Sequence, residues 1–201
     1  MSVSGRRTAP AIAAVLALVA GLLATFLAAP PPSDAAAPAR TRVVVKVADC
    51  EGCQVFVQQG LRHSWWASKT RTVRDGKAVF VVPSSRTRGL SIGITGTWEA
   101  ASPHPSGFQA IVAMRYKGVA AGTGIDQASA QAKQRASACF PGTNAHRVVF
   151  HVTARKVTVA GNGGPADTTM AWADPQVRTM RSTMMEVFDG VAGAQDIVPC
   201  W

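Results

Sequence analysis

Acidic residues are scarce in this chain: 11 Asp and Glu stand against 21 Lys and Arg, and charged residues make up only 16% of it. The carboxylates are scattered as well as few. A general acid and base side by side is nowhere indicated, and Asp75 with Glu99, the nearest to a candidate glycosidase pair, has no local sequence to support it. His63, His104, His146 and His151 form no H-E-x-x-H, so a zinc-protease helix is missing. The G-x-S-x-G elbow of a serine hydrolase is absent too. Gly122-Thr123-Gly124 and Asn162-Gly163-Gly164 lack the strand, glycine spacing and helix start of a phosphate cradle, and both read as turns. No repeat of solenoid length occurs. These absences leave no residue to nominate as catalytic and no cofactor to expect.

Long apolar runs are missing everywhere except near the N-terminus. There Arg6 and Arg7 lead into Ala11 to Ala29, and Ala37-Pro38-Ala39 supplies the small residues that a signal peptidase reads. Residues 1–39 are therefore expected to be a secretory signal, with 40–201 forming a single domain. The alternative is an uncleaved anchor, since the run is just long enough to cross a bilayer and Pro30-Pro31-Pro32 would begin an extended spacer. Membrane contact is expected only in that case. Removing residues 1–39 takes away Arg6, Arg7 and Asp34, leaving 19 basic and 10 acidic residues and a formal charge of +9. A field of that sign favours anionic partners outside the cell, such as a wall polymer or an extracellular protein. The basic residues are dispersed rather than clustered, so a specific nucleic-acid site is not expected.

Cys50, Cys53, Cys139 and Cys200 make an even set, which in an exported chain argues for two disulfides. The pairing favoured is Cys50 with Cys53, across a turn where Gly52 can take a positive φ, and Cys139 with Cys200, tying the C-terminus to the body. Crossed pairings stay open. The C-x-x-C also has a chemical reading, because two thiolates at that spacing can chelate a soft metal or act as a redox pair. With Val43-Val44-Val45-Lys46-Val47 before it and Val79-Phe80-Val81 well after it, the motif resembles that of heavy-metal-associated domains. Past Cys53 the likeness fails: Gln54-Val55-Phe56-Val57-Gln58 suits a strand where that family has a helix.

Short runs rich in Val, Ile and Phe recur between Gly, Pro, Asn, Asp and Ser, the pattern of a mainly β, two-sheet sandwich with one or two short helices. Strands are expected at Arg42 to Ala48, Gln54 to Gln58, Ser64 to Ser68, Ala78 to Val82, Leu90 to Thr97, Gln109 to Tyr116, Ala145 to Lys156 and Thr168 to Ala173. Asp75-Gly76 signals a tight turn, and Pro83 should end the strand before it. Asp126 to Cys139, rich in Ala and Gln without Gly or Pro, predicts a helix across one sheet, and a shorter one is expected from Asp174 or Pro175 to Phe188. Met180, Met184, Met185 and Phe188 would form its buried stripe.

One surface is suggestive. Trp65 and Trp66 are adjacent in a strand and so face opposite sides. An exposed indole near Arg62, Lys69, Arg71 and Arg74 could stack on a sugar ring or anchor a partner, and Arg86-Thr87-Arg88 reads as a basic loop tip. The candidate binding surface is thus Trp65, Trp66, Arg71, Arg74, Arg86 and Arg88. The pattern formed by Cys50-Glu51-Gly52-Cys53, Asp75-Gly76 before Val79-Phe80-Val81-Val82-Pro83, Arg86-Thr87-Arg88-Gly89, Arg115-Tyr116-Lys117-Gly118 and Cys139-Phe140-Pro141-Gly142-Thr143 resembles small secreted proteins of actinobacteria that have no known activity. What this resemblance implies is location and fold.

Overall fold

Alternation of apolar and polar residues decides the architecture. In Arg40–Ala48 the odd positions Val43, Val45 and Val47 are buried while Arg42, Lys46 and Ala48 are exposed, the period-two signature of a strand with one polar face, interrupted by buried Val44 on the outward phase. The structure is a computed structural model and describes residues 38–61, 64–104, 110–124, 136–161, 163–180, 189–191 and 194–196. In order, its strands are β1 (Arg40–Ala48), β2 (Gln54–Leu61), β3 (Ser64–Ala67), β4 (Arg71–Thr72), β5 (Lys77–Pro83), β6 (Arg88–Thr95), β7 (Arg115–Tyr116), β8 (Ala136–Ser137), β9 (Phe140–Pro141), β10 (Arg147–Gly161), β11 (Gly164–Ala173), β12 (Asp189–Val191) and β13 (Ala194–Asp196).

The fold is mainly β with two principal sheets, as the alternation predicts. One has the order β11-β10-β1-β5, with β1 and β10 parallel and the other pairs antiparallel. The second has the order β3-β2-β6-β9, with β4 also pairing β2. Their inner faces meet in a core where Val43, Val45, Phe80 and Phe150 of one sheet pack with Val55, Val57, Leu90 and Ile92 of the other. Phe140 and Phe150 touch edge to face across it, with centroids 5.1 Å apart.

The two sides of this sandwich differ. On one side residues 110–114 hydrogen-bond to both sheets: Val112 N donates to Ile92 O at 2.8 Å, and Ala113 N to Ala171 O at 3.0 Å. On the opposite side, where β5 faces β3 and β4, the described residues leave a groove. The sequence predicts a full strand over Gln109 to Tyr116; residue 109 lies outside the described residues, and the rest pairs only through bridges at Ile111 and Ala113 and through β7. Splitting its hydrogen bonds between two sheets keeps it from forming one long ladder.

Both predicted helices need correction where they can be compared. Most of Asp126 to Cys139 lies outside the described residues, but its end, Ala136–Ser137, is strand β8, which pairs with β7 while Met114 N donates to Ser137 O at 2.8 Å. Residues 174–180 are not helical either. Their amides are already committed elsewhere, Asp174 N to His151 O, Val177 N to Met114 O and Met180 N to Cys139 O. Met184, Met185 and Phe188 lie outside the described residues. The helical residues that are described form two 3-10 turns, Ser84–Arg86 and Thr97–Ala101. Among the described residues no helix is long and apolar enough to cross a membrane.

Candidate binding site

The site begins with the register of three strands. Opposite Arg42 of β1 stand Val81 of β5 and Arg147 of β10; opposite Val44 stand Val79 and Val149; opposite Lys46 stand Lys77 and His151. All nine positions lie on the outer face of the sheet, because their neighbours in sequence point into the core. This face carries a row of valines with cations on both sides. Val44 keeps only 2% exposure, whereas Val81 is 54% exposed. Alternate residues along a strand are about 6.8 Å apart, so the Arg42 and Lys46 rows lie roughly 13 Å from one another.

No residue of β1, β5 or β10 is acidic. Arg42 is therefore placed beside Arg147, and Lys46 beside Lys77, with no ion pair to either pair among the described residues. Like charges directly opposite in a sheet destabilise it. Cations further along β10 are treated differently: Lys156 pairs with Asp167 at 2.7 Å, and the Arg155 guanidinium lies 5.4 Å from the Trp172 ring centroid. The acidic neighbours of the face sit beyond the strand ends, with Asp49, Glu51 and Asp75 in turns and Asp174 just after β11. Asp174 shares a cleft of about 290 Å³ with Lys46, His151 and Thr153.

At the β5 edge of the sandwich the outer face runs into the groove, about 270 Å³ in volume and lined by Trp66, Lys69 and Arg71 on one wall and by Phe80, Val81 and Val82 on the other. Trp66 pairs with Gln59 and so faces inward at the sheet edge, partly packed against the core. The Arg86 guanidinium sits 5.5 Å from the Trp66 ring centroid and donates to Gln59 Oε1 at 3.3 Å. Buried Gln59 in turn donates to Ser85 O and to Arg88 O, which fixes the turn that carries Arg86.

The residues expected to form one surface are thus divided. Trp66 and Arg71 line the groove, and Arg86 lies against the Trp66 ring without lining it. Arg88 opens β6 and lines a separate hollow of about 820 Å³ with Ser84, Pro141 and Thr143. Arg74 belongs to the β4–β5 turn, bridged to Lys77. Trp65 pairs with Gly60 in β3, and its side chain lies outside the described residues, as do Arg62 and His63. Arg86-Thr87-Arg88 is not a free loop tip: Thr87 is buried and donates to Ser84 O at 2.7 Å.

Cys50 and Cys53 form a disulfide with both residues buried, and in that form neither sulfur is a thiolate for a soft metal. Gly52 takes φ +83 as expected of the turn. Cys200, the expected partner of Cys139, lies outside the described residues. Among the described residues no group of His, Cys, Asp and Glu is arranged to hold a metal ion. Glu99 is engaged in capping, accepting from Gly96 N at 3.0 Å and from Thr169 Oγ1, and Asp75 sits in the β4–β5 turn. His104 packs on the hairpin glycines Gly163 and Gly164, and His146 precedes β10 while His151 lies within it.

Arg40, Arg42, Lys46, Lys77 and Arg147 were not among the residues singled out from sequence. A signal existed in β1, whose cations fall on the outward phase of the alternation. The proximity of Arg147 depends on a parallel pairing that no local pattern reveals. Compared with known protein families, with curated proteins and with solved structures, the chain matches none.

Proposed function

We propose that the protein is a secreted, non-enzymatic binding module that holds an anionic polymer of the cell surface or wall against the outer face of β5, β1 and β10. The observation that supports this most is the placing of Arg42 beside Arg147 and Lys46 beside Lys77 with no carboxylate on the three strands. Such repulsion weakens the free protein and is relieved when a polyanion supplies the missing charge. A row of cations along paired strands suits an extended chain better than a small molecule, which needs a concave pocket.

Retention of the purified protein on immobilised polyanion tests the reading. Wild-type protein should be held at low ionic strength and released as salt shortens the screening length from about 30 Å to about 3 Å. Arg42→Glu with Arg147→Glu should weaken retention by about tenfold or more. Retention that ignores salt, or that survives the double reversal, sinks the proposal.

A further inference from the structure

We infer that the polymer is an acidic glycan, and that the groove beside Trp66 is the subsite for one of its sugar rings. This rests on the reading above and names the chemistry of the ligand for the same surface. Val81 joins the two regions, since it lines the groove and also stands on the outer face opposite Arg42. A chain leaving the Arg42 and Arg147 pair can therefore pass over the β5 edge into the groove without crossing an acidic side chain on β5.

The groove differs chemically from the sheet face. On the face the apolar groups are valines, which offer a sugar no ring to stack on. In the groove the indole of Trp66 shares a wall with Lys69 and Arg71, which bring positive charge to the hollow, opposite Phe80, Val81 and Val82. Sugar rings present C–H groups that pack on an indole while their hydroxyls stay hydrated, and a carboxylate or phosphate on the ring would pair with the two cations. Arg86 does not line the groove; it holds the ring through the cation–π contact, and Gln59 holds Arg86. The indole is thus fixed before any ligand arrives, which lowers the ordering cost of binding. A sugar-free polyanion would use the cations and gain nothing from the indole.

The full chain is titrated with polygalacturonate and, separately, with polyphosphate. Trp66→Ala should weaken polygalacturonate binding by about tenfold and change polyphosphate binding by less than about twofold. Since Trp66 also touches the core, wild-type protein is followed in parallel by two-dimensional NMR: short oligogalacturonides should shift the Trp66 indole N–H and the amides of Ala67 to Lys69, and polyphosphate should leave the indole unmoved. An indole that responds to neither ligand, or equally to both, overturns the glycan subsite and leaves the cationic face standing. Failure of wild-type protein to bind either polyanion overturns both.

Discussion

Gly93 shows how one residue without a side chain shapes a sheet. It is opposite Phe56 in the β2–β6 ladder, and a Cβ built on it would lie 2.0 Å from Phe56 Cζ. The ring occupies the space a side chain would need, so Gly93 is required by contact and not by an unusual backbone. Gly93→Ala is predicted to destabilise the fold by about 1–3 kcal/mol, measured by urea unfolding, because the ring must leave its position. Adding Phe56→Ala to that variant should restore part of the loss; a Gly93→Ala protein as stable as wild type would show that the ring moves at no cost. Nothing in the sequence marks Gly93 apart from other glycines, because the clash comes from a neighbouring strand. Gly52 and Asp75-Gly76 were legible since their turns are local: Gly52 has φ +83, Asp75 φ +50 and Gly76 φ +65.

Among elements, the turn closed by Cys50 and Cys53 has the clearest mechanical role. Gly52 N donates to Val73 O and Val73 N to Cys53 O, while the Glu51 carboxylate accepts from Asp75 N and Gly76 N, each at 3.1 Å. Two turns, one after β1 and one before β5, are in this way clasped together. Replacing both cysteines by alanine should lower stability by about 2 kcal/mol, the loop-closure value for so short a ring, and should leave polyanion retention unchanged because the clasp lies off the cationic face. Unaltered stability would assign the hold to Glu51 and the backbone instead. The strand at the other end of this clasp, β5, is an edge strand with Lys77 at one end and Pro83 at the other, residues that discourage another strand from adding to it. The misread elements share one cause. Helix propensity in Ala136 to Cys139 and after Asp174 was outweighed by backbone groups that bond far along the chain, Ser137 O to Met114 N, Cys139 O to Met180 N and Val177 N to Met114 O, a tertiary effect on the local preference.

For the molecule as a whole, the excess of base, +10 over the full sequence, is carried in part by paired strands. Strand pairing brings part of it, Arg42 with Arg147 and Lys46 with Lys77, onto one sheet face, where like charges side by side weaken the free fold. Arg147→Gln is therefore predicted to raise stability at low salt by about 0.2–1 kcal/mol while reducing retention on polyanion, with the stability gain vanishing at high salt. Thermal unfolding of both proteins across a salt series checks this; a variant less stable than wild type at low salt would mean that the pair is not repulsive in the fold. Composition and pattern alone determined the excess of base, the alternation that makes strands of β1, β2, β5, β6 and β10, and the Cys50–Cys53 turn, because each depends on residues a few positions apart. Only the tertiary structure decided that Arg42 lies beside Arg147, that Trp66 faces Val81 across the groove on one side, and that residues 110–114 close the other. Each of these depends on which strand pairs with which, and pairing is settled by burying two apolar faces together across the whole chain.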